Sequence, residues 1–173
     1  MEPRLRPAQP DDVVRLAALK LETFRETFID GFAIPYPPAD LALFEAASYS
    51  PAAVAGELAD SGRMNWLVEA DGRLLAYAQV GPCKLPHPEV KQGEGELYQI
   101  YVRSEAQGLG LGKQLLATAL DHLAATRPGA VWLGVWSGNR KAQAVYRKIG
   151  FDKVGEYQFP VGSWRDEEYI FRR

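Results

Sequence analysis

The segment Gln107-Gly108-Leu109-Gly110-Leu111-Gly112-Lys113 constrains this chain more than any other. Three glycines at alternate positions make a poor helix start, because each costs about 1 kcal/mol against alanine in a helix interior. What they allow is close approach. A turn without Cβ atoms at a helix N-terminus can aim several N–H groups at one anion, helped by the positive end of the helix dipole. A phosphate or pyrophosphate fits such a turn. The dinucleotide pattern G-x-G-x-x-G fails, because its third glycine would fall on Lys113 or Leu115. The Walker pattern fails as well, needing glycine at Gln107 and a hydroxyl at Gln114. A third pattern, Q/R-x-x-G-x-G/A between a strand and a helix, is met by Gln107, Gly110 and Gly112.

The surroundings of this turn read as an α/β chain. A short strand around Leu5 leads into a helix whose apolar positions run from Val13 to Phe28. The Pro35, Pro37 and Pro38 cluster forces a stiff loop. Two short helices follow over 40–49 and 51–60, the second capped by Ser50 with Pro51 at its first position. Residues 65–70 and 74–80 flank Asp71-Gly72-Arg73 and form a hairpin. After an irregular loop over 81–95, which can shape a pocket, come a strand (96–102), the glycine turn, a helix to about 125, a strand (130–136) and a helix (140–148). The strand 130–136 is apolar on both faces, as expected inside a sheet covered by helices. Segments 153–159 and 167–171 close the chain as an antiparallel pair.

Composition narrows the chemistry. With 173 residues the chain is long enough for one domain, 1–173. Twenty Lys and Arg against 22 Asp and Glu leave a charge of −2, with no basic excess for nucleic-acid phosphates. One cysteine and two histidines supply neither a disulfide nor a Cys/His metal site. No apolar run approaches the ~18 residues of a membrane span, and the charged, proline-rich N-terminus has no apolar stretch behind it. A cytoplasmic, reducing setting is expected, with no metal, nucleic acid or membrane.

A second motif stands downstream: Asn139-Arg140-Lys141-Ala142, then Tyr146 and Gly150-Phe151. Asn139 can cap the helix, Ala142, Val145 and Ile149 form its buried stripe, and Gly150-Phe151 fits a Schellman stop. With the glycine turn, this N-x-x-A-x-x-x-Y-x-x-x-G-F pattern resembles the GCN5-related N-acetyltransferases, and the similarity covers nearly the whole chain. The resemblance implies a mixed sheet of six or seven strands with helices on both faces and two central parallel strands that splay to admit acetyl-CoA. It implies that backbone groups of Ile100, Tyr101 and Val102 meet the pantetheine arm. It also implies that Gln107, Gly108, Leu109, Gly110, Leu111, Gly112 and Lys113 hold the pyrophosphate, and that Asn139 and Tyr146 line the thioester end.

An amine attacking a thioester must lose a proton, and an alkylammonium titrates near 10, so a base or a water chain is required. Glu96 stands where family members with a strand glutamate place that base; Glu94 and a water chain are alternatives. Tyr146 can return a proton to the departing thiolate. A backbone N–H freed where the strands separate would hold the oxyanion. Cys83 is the competing nucleophile for a ping-pong route. His122, Trp132 and Trp136 are expected to pack. Glu22, Glu26, Asp30, Asp40 and Glu45 give the acceptor half an acidic bias that suits a cationic amine, and the closing segment 161–169 is similar to the polyamine-type branch. The partners expected are a small-molecule amine and, as an option, a second copy of the chain. A non-catalytic acyl-CoA sensor and a nucleotide-binding module stand as the other readings.

Overall fold

The structure, a computed structural model, describes residues 2–173. Its frame is one seven-stranded sheet in the order β1-β2-β3-β4-β5-β7-β6. The strands are β1 (Arg4–Pro7), β2 (Met64–Ala70), β3 (Arg73–Pro82), β4 (Gly95–Val102), β5 (Val131–Trp136), β6 (Asp152–Val161) and β7 (Trp164–Arg172). Every neighbouring pair is antiparallel except β4 and β5. Between those two runs α4 (Leu111–Thr126), the crossover helix that a parallel pair requires. The α4 face of the sheet buries Leu115, Leu123, Leu133 and Phe151, and α5 (Arg140–Lys148) packs there through Ala142, Tyr146 and Ile149. The opposite face carries α1 (Val13–Phe24), α2 (Pro38–Tyr49) and α3 (Pro51–Ala59), with Leu16, Leu19, Val54 and Tyr77 in its core.

The local signals act as their chemistry requires. Asp71 and Gly72 both take positive φ (50° and 76°), the two-residue turn whose twist matches its flanking strands. Ser50 accepts a bond from Ala53 N–H at the start of α3. α5 begins with Asn139 accepting from Ala142 N–H at 3.1 Å. It ends with Phe151 N–H donating to Tyr146 C=O and Gly150 N–H, at φ 98°, to Arg147 C=O, the Schellman pair. The buried stripe expected of α5 does not include Val145. Val145 is 45 % exposed, and the buried side chain of α5 is instead Gln143, which donates to the carbonyls of Trp136 and Ser137. Its amide reaches the β5 terminus, whereas position 145 is rotated away from the sheet. The first helix also departs from regularity. From Arg25 to Gly31 it widens into π-helical turns, which turns Phe28 and Phe32 inward beside Tyr101 and Trp136.

Asp12 anchors the N-terminal edge. Its carboxylate, 1 % exposed, accepts from Arg6 at 2.7 and 2.8 Å, from Arg15 at 2.7 Å and from Gln9 N–H at 2.8 Å. The Arg6 bonds hold it well below the usual carboxylate range. A depressed folded pKa gives stability that is present above the unfolded value and lost as pH falls through the folded one. Urea denaturation of Asp12→Asn at pH 7 should show a loss of about 2 kcal/mol, below the ~3–5 kcal/mol of a fully desolvated pair because both arginines keep some water. The difference from wild type should shrink as pH drops below ~4.

Candidate active site

The glycine turn lies between a short helical turn (Ser104–Ala106) and α4. Gly108 and Gly110 have φ of 82° and 79°, and Cβ atoms built on either would meet nothing within 4 Å, so both face open space. Backbone conformation, not crowding, demands glycine at these two positions. The first i→i−4 bond of α4 runs from Gln114 N–H to Gly110 C=O at 3.1 Å. The N–H groups of Leu111, Gly112 and Lys113 therefore lack an i−4 partner and form a bare helix N-terminus. Gln107 closes the turn, its Nε2 donating to Val102 C=O at 3.3 Å.

β4 and β5 pair only at Gly95↔Val131 and Glu96↔Trp132, then separate. From Leu97 to Val102 the β5-facing edge of β4 has no strand partner. A bulge in the β3–β4 register, between Gln79 and Val80, adds Tyr98 to β4. The extra residue reverses the alternation, so that Glu96 and Gln99, three apart, share one face. Opposite Gln99, Gln79 points to Glu57 and Asn65 on the α3 side, whereas Leu97 and Val80 enter the α4-side core. Gln99 Oε1 is buried with no hydrogen-bond partner among the described residues.

Glu96 is 7 % exposed and accepts from Lys84 N–H at 2.8 Å. Burial pushes its carboxyl up to about 7 despite that bond. Tyr146 and Asn139 line the same cavity as Glu96. The Tyr146 hydroxyl has no partner among the described residues, and burial raises it to about 12. Glu94 is placed differently. Trp132 Nε1 (2.8 Å), Lys91 N–H (3.0 Å) and Ala130 N–H (3.3 Å) all donate to it. Burial opposes its ionisation, but those bonds prevail and keep it below the usual value. It is a clamp between the 83–94 loop and β5 and does not line the cavity. The half-buried Cys83 thiol is raised to about 11 by burial, then by Glu96 and Glu94, which disfavours a thiolate. His122 packs its ring against Trp66 at 5.1 Å.

The acetyltransferase (GNAT) family model matches residues 21–151. The chain belongs to the acetyltransferase (GNAT) family. It is 30% identical over 149 residues to an uncharacterized N-acetyltransferase of Lactobacillus delbrueckii subsp. lactis, 86% of each chain. A mycothiol acetyltransferase of Paenarthrobacter aurescens is 43% identical over 86 residues, 49% of this chain and 25% of that protein. Among solved structures, the PaiA N-acetyltransferase of Thermoplasma acidophilum in complex with coenzyme A superposes with a TM-score of 0.75 at 18% identity, covering 100% of this chain and 99% of that one. Membership makes the chain an N-acetyltransferase with acetyl-CoA as co-substrate. No helix among the described residues is long and apolar enough to cross a membrane.

The acetyltransferase carries a cavity of about 610 Å³ that runs from the splayed strands to the α1, α2 and β6–β7 side. Its far half is aromatic: Phe24, Phe28, Tyr36, Phe44, Trp136 and Phe159. The acids expected to face an amine do not line it. Glu22 pairs with Arg103, Glu26 accepts from Ser104 N–H, Asp40 holds the Gly162-Ser163 turn, and Glu45 pairs with Arg25. Asp30 lies outside the lining as well. Glu22, Glu26, Asp40 and Glu45 tie neighbouring elements together, because each emerges from its helix beside a donor rather than over the sheet. The cavity carboxylates are Glu57, Glu96, Asp166 and Glu168. Glu57 is bound by the buried Lys20 and by Gln79, which fixes that wall. Asp166 accepts from Tyr36 Oη at 2.6 Å and Trp164 Nε1 at 2.9 Å. Asp166 and Glu168 escaped the sequence reading, although their parity with the apolar Ile170 on the closing strand was the available signal.

Proposed function

We propose that this enzyme acetylates a small primary amine by direct attack in a ternary complex, with Glu96 as base and Tyr146 as acid. The observation that carries the reading is the two-residue contact between β4 and β5. It leaves an unpaired strand edge that starts just after Glu96 and leads to the glycine turn. Acetyl-CoA supplies the activated acetyl group. The open backbone at Gly108 and Gly110 and the free N–H groups of Leu111, Gly112 and Lys113 suit its pyrophosphate. Leu109 and Gln107 complete that turn, and the edge at Ile100, Tyr101 and Val102 suits the amide-bearing arm. Asn139 and Tyr146 stand at the inner end.

The chain's own residues then handle protons. The Glu96 carboxylate takes the proton of the incoming ammonium, directly or through a water. The half-buried Tyr146 keeps its Oη proton at neutral pH and delivers it to the leaving sulfur. The freed β4 edge offers an N–H to the developing oxyanion. With the acidic, aromatic cavity, a polyamine is the acceptor this reading favours, in a cytoplasmic enzyme of one domain over 1–173, acting as a monomer or a homodimer.

The test is thiol release from acetyl-CoA across a panel of amines. Turnover above hydrolysis is expected. Tight CoA binding without turnover would instead favour a sensor. Tyr146→Phe should lower kcat about 10²-fold while CoA affinity by calorimetry changes far less; equal losses in both would remove the acid role.

A further inference from the structure

Across β5, β7 and β6, register places Trp136, Glu168 and Tyr157 in one row. All three line the cavity that holds Glu96. The adjacent row is Gly134, Ile170 and Gly155, and the room left by the two glycines is taken by Tyr157, Leu85 and His87. Tyr157 lies over Gly134, where a Cβ would come within 2.9 Å of its hydroxyl. Burial, and then the charges of Glu168 and Glu96, raise the Tyr157 hydroxyl.

Glu168 is unusual among the cavity acids. Asp166 and Glu57 have donors, and Glu96 has the Lys84 N–H, but the Glu168 side chain has no hydrogen bond or ion pair with any described residue. Burial and neighbouring Asp166 push it up to about 8. The cavity's two cations stand elsewhere: Arg63 is paired with Asp60, and the Arg63 and Lys84 head groups lie over the Tyr98 ring at 5.2 and 4.2 Å. A second vacancy for a donor is the buried, unpartnered Gln99 Oε1 in the same cavity. A ligand that brings N–H donors and positive charge into an aromatic chamber meets both needs.

We propose that Glu168 is the specificity-determining residue for the acceptor, pairing with the ammonium that is not acetylated, so that the enzyme selects flexible aliphatic diamines over monoamines of equal length. This rests on the transferase reading above. The Glu96 and Glu168 rows lie four residues apart along β5, roughly 13 Å, and both residues line the one cavity. A chain of several methylenes fits between two ammonium groups over such a gap, its stem against Trp136 and Phe159. A compact or anionic acceptor would leave Glu168 unpaired.

The experiment compares wild type, E168Q and E168D with α,ω-diamines and n-alkylamines of matched length. Thiol release gives kcat/KM, and diamine binding in the presence of CoA is read by calorimetry, without turnover. Wild type should favour diamines at least tenfold. E168Q should cut the diamine-to-monoamine ratio of kcat/KM and the diamine affinity at least tenfold each, with E168D keeping part of both. Thermal unfolding checks that each variant is folded. A ratio and an affinity unchanged in E168Q would overturn the inference and leave the transferase reading intact. Diamine binding that depends on Glu168 with no thiol release from any amine would retain Glu168 as the charge reader and remove the transferase reading.

Discussion

Replacing Glu96 with glutamine should lower kcat/KM for an amine acceptor by about 10²–10⁴-fold, the range for loss of a positioned general base. The amide keeps the shape and can still accept from Lys84 N–H, so the wall of the cavity stays in place. What disappears is a proton acceptor whose burial has raised it to about 7. The sign of the pH dependence follows. The base works when deprotonated, so the wild-type rate should rise with pH through about 7 and level above it, and Glu96→Gln should lose that limb. Because Glu168 shares the cavity and titrates near 8, the limb belongs to the pair until profiles of both single variants are compared. A glutamine variant with full activity and an unchanged profile would transfer the role to a water chain. Glu94 offers no such substitute, since three donors already occupy its oxygens.

The second large effect is on cofactor affinity. Gly110→Val puts a β-branched residue at φ 79°, where L residues other than glycine lose roughly 1–2 kcal/mol and branched ones more. The turn must then rearrange, and the bare N–H groups ahead of Gln114 change direction. CoA affinity by calorimetry should fall about 100-fold, a loss of ~2.7 kcal/mol in binding. Thermal stability should fall by no more than this backbone strain, because a Cβ at position 110 meets no neighbour within 4 Å. Retained affinity would mean that the pyrophosphate is held elsewhere.

The two variants divide the site along the line that separates what could be read locally from what could not. Helix ends were legible because capping is short-range chemistry: Ser50, Asn139 and the Gly150-Phe151 stop each act within six residues. The glycine turn was legible for the same reason, since positive φ at Gly108 and Gly110 is a demand of the local backbone. Val145 was misjudged because helical spacing gives a face without saying which neighbour it meets, and Gln143 had a carbonyl to reach at the end of β5. The acids of the first quarter were misjudged for a related reason. A carboxylate's role depends on the donor that tertiary contact brings to it, and Arg103, Ser104 and Ser163 lie far along the chain.

By itself, the sequence determined the element types, the anion-ready turn and a strand glutamate at its head. Each of these follows from backbone preferences and spacing over a few residues. Tertiary structure decided the rest: where β4 leaves β5, how the bulge at Tyr98 brings Glu96 and Gln99 to one face, and which acids stand in the cavity. Glu168 became visible only when β7 was laid between β5 and β6, because a carboxyl's surroundings are set by the strands packed beside it and not by its place in the chain.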